Sequence, residues 1–356
     1  MESSPGTRGQ ALVDLDALAR WMDRQGLGAG PIESLSSLSG GTQNIMLRFT
    51  RGSSSFVLRR PPMQPRANGN ETIRREIRVL SALRGTDVPH ARLIAACADT
   101  DVLGASFYLM ESIDGFNATV GLPPLHAGSA SVRHGMGLAL IDGLLCLGRV
   151  APSDVGLMDF GKVEGFLERQ VGRWTKQLAG YQEYASWPGA HEIPDVERIA
   201  GWLERHRPSG FQPGIMHGDY HLANVLYRND GPDLAAIVDW ELATIGEPLL
   251  DLALVLTTWP RSNDPTSMKI EPWDGFPSTA ELVDHYAAHS DRDLSALPWY
   301  EVLACFKLGI LLEGTFARAC AGKADTRVGE RFHARTCALF ERASKLVSSH
   351  HESPYA

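Results

Sequence analysis

A chain of 356 residues, with 44% hydrophobic and 21% charged side chains, is long enough for two lobes that each bury a core. Its net charge of -8, its pI near 5.8 and the lack of any long Lys/Arg run give no general attraction for nucleic acid. The most apolar stretches, 136–147 and 249–256, are short and broken by Asp142 and Asp251, so no membrane partner is expected.

Five scattered cysteines, Cys97, Cys146, Cys305, Cys320 and Cys337, read as reduced core residues of a cytoplasmic protein, not as a disulfide or zinc framework. Residues 1–10, rich in Ser, Gly and Pro, read as a flexible tail instead of a signal peptide. Asp14 can cap a helix carrying Leu15, Leu18, Trp21 and Met22 on one face, ending near Gly26–Gly30. Short β-type runs follow at 32–38, 45–50 and 56–60, joined by turns at 39–44 and 51–55. The first turn contains Gly40 and Gly41, which let backbone N–H groups approach a phosphate, although a Gly-Gly pair is more often only a turn. In the third run, the strand period of two puts Val57 and Arg59 on one face. If Val57 packs on an adenine, Arg59 points at the phosphates.

A helix over 72–83 aligns Ile73, Ile77, Leu80 and Leu83, and Glu76 falls within that apolar stripe. A carboxylate on an inward face needs a cationic partner, and Arg59 is the candidate. The competing reading leaves Glu76 at the helix edge, paired with Arg75 or Arg78. Extended runs at 91–98 and 107–110 complete a small nucleotide-binding lobe spanning 11–112. The segment Glu111-Ser-Ile113-Asp-Gly115 then serves as a connector whose backbone can hydrogen-bond adenine. From 113 to 356 the pattern is mainly helical, with helices expected over 132–150, 163–184, 196–207, 279–289, 298–321 and 326–348. The expected fold class is α+β: a small β-rich lobe, a larger helical one, and a cleft at their join.

Residues 156–162 match most of a phosphate-binding P-loop, but Val163 stands where Ser or Thr should bind magnesium. They are read as a loop entering the next helix. The chemistry lies instead in His217-Gly-Asp-Tyr-His-Leu-Ala-Asn224 and Ile237-Val-Asp-Trp-Glu241. A hydroxyl attacking a γ-phosphate needs one carboxylate to orient it and take its proton, and oxygen ligands for magnesium. Asp219 fits the first role, and Asn224 with Asp239 fit the second, because magnesium prefers hard oxygen donors. Two apolar runs, 225–228 and 234–239, flank a Gly-containing loop and read as a hairpin whose pairing would bring Asn224 next to Asp239. A metal hydrolase using His217, Asp219 and His221 is the alternative, but it leaves Asn224 and Asp239 unexplained.

These motifs resemble the aminoglycoside phosphotransferase family of small-molecule kinases, which have a protein-kinase-like fold. The segments 56–62, 159–174 and 239–251 are most similar to the phosphotransferase domains associated with acyl-CoA dehydrogenases. The resemblance implies Asp219 as catalytic base, Asn224 and Asp239 as magnesium ligands, and Arg59 in place of the nucleotide-contacting lysine, with Glu76 as its partner. It also implies that Asp251 braces the catalytic loop, that His217 and His221 shape it, and that the cofactors are ATP and Mg2+. Three departures stand out: Arg59 is a planar fork instead of a point charge, Trp240-Glu241 replaces Phe-Gly, and Glu247 stands where Asp is expected.

The expected partner is a small molecule bearing a hydroxyl, taken by a monomer or homodimer. Arg261, Lys269, Arg292, Lys307, Arg318 and Lys323, mixed with acids and with Trp259, Trp273 and Trp299, suit an amphipathic acceptor such as a hydroxyacyl-CoA better than a polycationic aminoglycoside. The remaining alternative is a nucleotide-binding module without turnover, which has no need of all three polar groups.

Overall fold

The computed structural model describes residues 13–38, 44–62, 68–261 and 264–351. The tail 1–10 and the turn with Gly40 and Gly41 lie outside the described residues. Helix α1 (Leu15–Arg24) begins where Asp14 Oδ1 accepts from Ala17 N at 2.8 Å, a side-chain cap for a first-turn amide. It buries Leu18, Trp21 and Met22 against a five-stranded antiparallel sheet. The strand order is β1 (Glu33–Ser37), β2 (Ile45–Arg51), β3 (Ser54–Arg60), β5 (Phe107–Glu111), β4 (Leu93–Cys97). Alternation along β3 sends Phe56 and Leu58 into the core with α1 and turns Val57 and Arg59 to the opposite face, as the strand period predicts.

That second face carries α2 (Gly69–Ala82), which buries Ile73, Glu76, Val79 and Leu80. The helix starts three residues before the predicted Thr72. It also locks the small lobe to the large one. Arg75 donates to the carbonyls of Phe160 and Ala243, both at 3.1 Å, with its guanidinium 4.2 Å above the Phe160 ring, and Arg78 pairs with Asp159. The P-loop-like stretch is therefore a docking surface. A Cβ on Gly161 would lie 2.6 Å from Ile245 N, so glycine is needed there for close packing.

The larger lobe contains α3 (Pro124–Gly128), α4 (Ala130–Arg149), α5 (Glu168–Gly180), α6 (Val196–Arg205), α7 (Leu249–Thr258), α8 (Thr279–Ala288), α9 (Leu297–Cys320) and α10 (Thr326–His351). Its core gathers Trp202, Tyr220, Tyr227, Trp259, Phe306 and Phe340. Among the described helices, α4 alone is long and apolar enough to cross a membrane, and 56% of its apolar window is buried inside the lobe. The helix predicted from 163 begins only at Glu168, because Gly165 sits at φ 61°, outside right-handed helical space. Helix α7 has no predicted counterpart: nearly every residue in it is buried, so it has no polar face to reveal a period.

Two small ladders are set into the helices. β7 (Val225–Tyr227) pairs with β8 (Leu234–Ile237) as the predicted hairpin, and β6 (Gly214–Met216) pairs with β9 (Thr244–Gly246), a ladder the sequence reading does not contain.

Candidate active site

The candidate catalytic loop runs from His217 to Asn224, between β6 and β7. Its first turn is held by Asp251 in α7, whose carboxylate accepts from His217 N at 2.7 Å and Gly218 N at 2.9 Å. Gly218 has φ 83°, and a Cβ there would lie 2.4 Å from the Leu242 carbonyl oxygen. Only glycine fits this approach. Burial pushes the Asp251 carboxyl up to about 6, opposed by Lys307 and the two amides. Glu247 accepts from Leu249 N at 3.0 Å at the start of α7.

His217 is fully buried. Its Nδ1 accepts from Asp219 N at 3.3 Å, so Nε2 carries the proton and donates to the Val238 carbonyl at 2.9 Å. Burial lowers its imidazole to about 4, against the pull of Asp219, so it is neutral at physiological pH. With both ring nitrogens committed to backbone, His217 has no lone pair for a metal, and the hydrolase reading loses its first ligand. Among the described residues, no group of three or more His, Cys, Asp or Glu is arranged to hold an ion. His221 does more than shape the loop. Its Nδ1 accepts from Ala223 N at 3.2 Å, and Nε2 lies 3.4 Å from Asp219 Oδ1.

Asn224 joins the pieces. Its Nδ2 donates to the Asp219 carbonyl at 2.9 Å and to Asp219 Oδ2 at 3.0 Å, so the carboxamide oxygen is the atom it could offer a cation. Its own carbonyl accepts from Val238 N at 2.9 Å, placing Asp239 alongside, as the hairpin argument predicts. Asp239 takes the left-handed conformation, φ 67° and ψ 63°, a strained backbone for a non-glycine residue. Burial works to raise the Asp219 carboxyl, but His221, Lys307 and His217 outweigh it and bring it down to about 2.

From the small lobe, Arg59 reaches the same point. Its Nε lies 2.8 Å from Glu76 Oε2, and its Nη2 donates to Glu76 Oε1 at 3.1 Å and to Asp239 Oδ1 at 2.6 Å. Glu76 is therefore buried and paired with Arg59, not with Arg75 or Arg78 at a helix edge. Tyr108 also donates to Glu76, at 2.6 Å. Burial raises the Glu76 carboxyl, and Arg59 and Tyr108 oppose the shift. A cleft of about 440 Å³ opens between the lobes, lined by Val57, Arg59, Met110, Glu111, Ile113, Asn224 and Asp239 among others. Asp219 sits beside it, one hydrogen bond from Asn224. A carboxylate and a carboxamide oxygen facing one cleft are a donor set suited to a hard divalent cation that keeps other ligands.

Sequence reasoning missed Tyr108 and Asn117, and it placed Lys307 among the cations of the acceptor region without its contact with Gly218. Tyr108 pairs with Arg59 across the β3–β5 ladder, a register no local motif encodes. Asn117 donates to the Ala223 carbonyl at 2.7 Å and so ties the lobe connector to the catalytic loop. Lys307 carried a signal: it is a charge set directly between Phe306 and Leu308 in a largely apolar helix.

The model of a phosphotransferase enzyme family matches residues 34–288. The chain belongs to that family. A solved structure of a Ralstonia eutropha protein, provisionally described as an aminoglycoside phosphotransferase, superimposes with a TM-score of 0.77 at 28% identity, covering 94% of this chain and 99% of that one. A thermostable aminoglycoside phosphotransferase mutant bound to ADP and hygromycin B gives 0.57 at 13% identity, over 92% and 98% of the two chains, and supports the fold alone. The phosphotransferase therefore has the protein-kinase-like, two-lobed α+β fold. In sequence it is 29% identical to acyl-CoA dehydrogenase family member 11 of Pongo abelii over 300 residues, 81% of this chain. It spans about a third of the length of such relatives, 37% in that case.

Proposed function

We propose that this phosphotransferase transfers the γ-phosphate of ATP to a hydroxyl of a hydroxyacyl-CoA or a related lipid-like metabolite. The observation that carries the reading is the chain of contacts from Asp219 through Asn224 to Asp239 and Arg59, which ends in the cleft between the lobes. Adenine fits between Val57 and the connector, with the Glu111 carbonyl and the Ile113 amide as its edge partners. Asn224 and Asp239 hold magnesium, which neutralises the phosphates. Asp219 orients the acceptor hydroxyl and takes its proton.

One observation favours an acyl-CoA-like acceptor. The relative matched over most of this chain is named for acyl-CoA dehydrogenation, which supports a CoA-linked acceptor. ATP consumption should be measured with a panel of hydroxyacyl-CoAs and with aminoglycosides, and the phosphorylated product identified by mass. Turnover on hydroxyacyl-CoAs is expected. Turnover confined to aminoglycosides overturns the acceptor, and none on any acceptor supports a binding module.

A further inference from the structure

Behind the catalytic loop stands a charge that belongs to none of its motifs. Lys307, on α9, donates from Nζ to the Gly218 carbonyl at 2.7 Å. The amide of the same glycine is held by Asp251 Oδ1 at 2.9 Å. The residue just before the base is thus gripped at both of its backbone polar groups, by two side chains from different helices. Glycine at φ 83° has no side chain of its own to hold that geometry. The Lys307 ammonium lies 5.8 Å above the Trp174 ring, within cation–π range. The charged groups that act on it are Asp219 and Asp251, which favour the ammonium, and Arg173, which opposes it. A lysine in the interior of an apolar helix is costly unless it meets such partners.

We propose that Lys307 is a positioning residue for phosphotransfer, fixing the Gly218–Asp219 peptide and offsetting the mutual repulsion of Asp219 and Asp251. The idea takes Asp219 as the base and so rests on the proposed reaction, but the clamp itself can be tested without turnover.

Hydrogen–deuterium exchange would be followed in the full chain and in its Lys307→Met and Lys307→Arg variants. In Lys307→Met, exchange in peptides covering 217–221 should rise about tenfold, with the rest of α9 unchanged, because the opening is local. Lys307→Arg should restore it to within about threefold, since it keeps both donor and charge. With any accepted hydroxyacyl-CoA, kcat should fall about tenfold or more in Lys307→Met, while KM for ATP stays within about twofold. If Lys307→Met does not fold, Lys307→Gln replaces it, with an expected rise of about threefold. Unchanged loop exchange overturns the proposal, as does faster exchange spread equally over the loop and α9, which would mean packing alone. Because exchange needs no acceptor, a wild-type protein inert toward hydroxyacyl-CoAs would sink the acceptor reading and leave this test standing.

Discussion

Arg59 and Asp239, 180 residues apart, meet at 2.6 Å across the cleft, and the same guanidinium holds Glu76 at 2.8 Å. A planar fork holds two carboxylates through separate N–H groups in fixed directions, where a lysine offers one compact point charge. The carboxylate assigned to magnesium therefore already has a cationic partner from the opposite lobe, and a metal must share Asp239 with Arg59 or displace it.

Arg59→Lys should loosen that competition. The shorter-reaching point charge keeps Glu76 company but gives up Asp239, so magnesium affinity in the presence of ATP should rise about tenfold, equivalent to 1.4 kcal/mol. Calorimetric titration of Mg2+ reads this directly, and an unchanged affinity would show that the pair does not compete. Arg59→Met leaves Glu76 buried without its cation and should cost about 3–5 kcal/mol of stability, measured by urea unfolding.

Tyr108→Phe tests the support beneath that pair. It removes a donor 2.6 Å from a fully buried carboxylate while preserving the ring. Loss of about 1.5–3 kcal/mol is expected from the denaturation midpoint at constant slope. A loss under about 0.5 kcal/mol would indicate that water replaces the hydroxyl.

Asp219→Asn should lower turnover by at least ~10²-fold and leave ATP affinity nearly intact, because the side chain sits beside the nucleotide cleft and not in its lining. Equal rates in the two proteins would mean that another group takes the proton. Although burial opposes it, His221 and Lys307 hold the wild-type carboxyl at about 2, so protonation of Asp219 should not produce an acid limb in the rate profile above about pH 3.

His217 should make the fold acid-sensitive. Its folded-state value, about 4, lies below the ordinary 6.5, so the neutral form is favoured by folding. That contribution is fully present above pH 6.5 and is lost as the pH falls through 4, amounting to ~3 kcal/mol. His217→Gln is less stable at pH 7, but it should lose ~3 kcal/mol less than the parent on going from pH 7 to pH 4. Parallel stability curves for the two proteins would mean that His217 is not held neutral.

Much of this site could be read from local pattern because its parts are local. Asp219 and Asn224 share one loop, and a hairpin returns the chain to Asp239 by short-range pairing. Val57 and Arg59 face the cleft because a strand alternates, and Glu76 faces inward because a helix repeats. Periodicity failed where an element lacks two unlike faces. Helix α7 is buried nearly all round, and β6 and β9 are only three residues each. Chain order alone therefore supplied the candidate reacting groups and the kind of lobe each sits in. The contacts of Arg59 with Asp239, Tyr108 with Glu76 and Lys307 with Gly218 join elements distant along the chain. Their distances follow from how helices and sheets pack, and packing geometry is a property of the assembled core that no short stretch of residues carries.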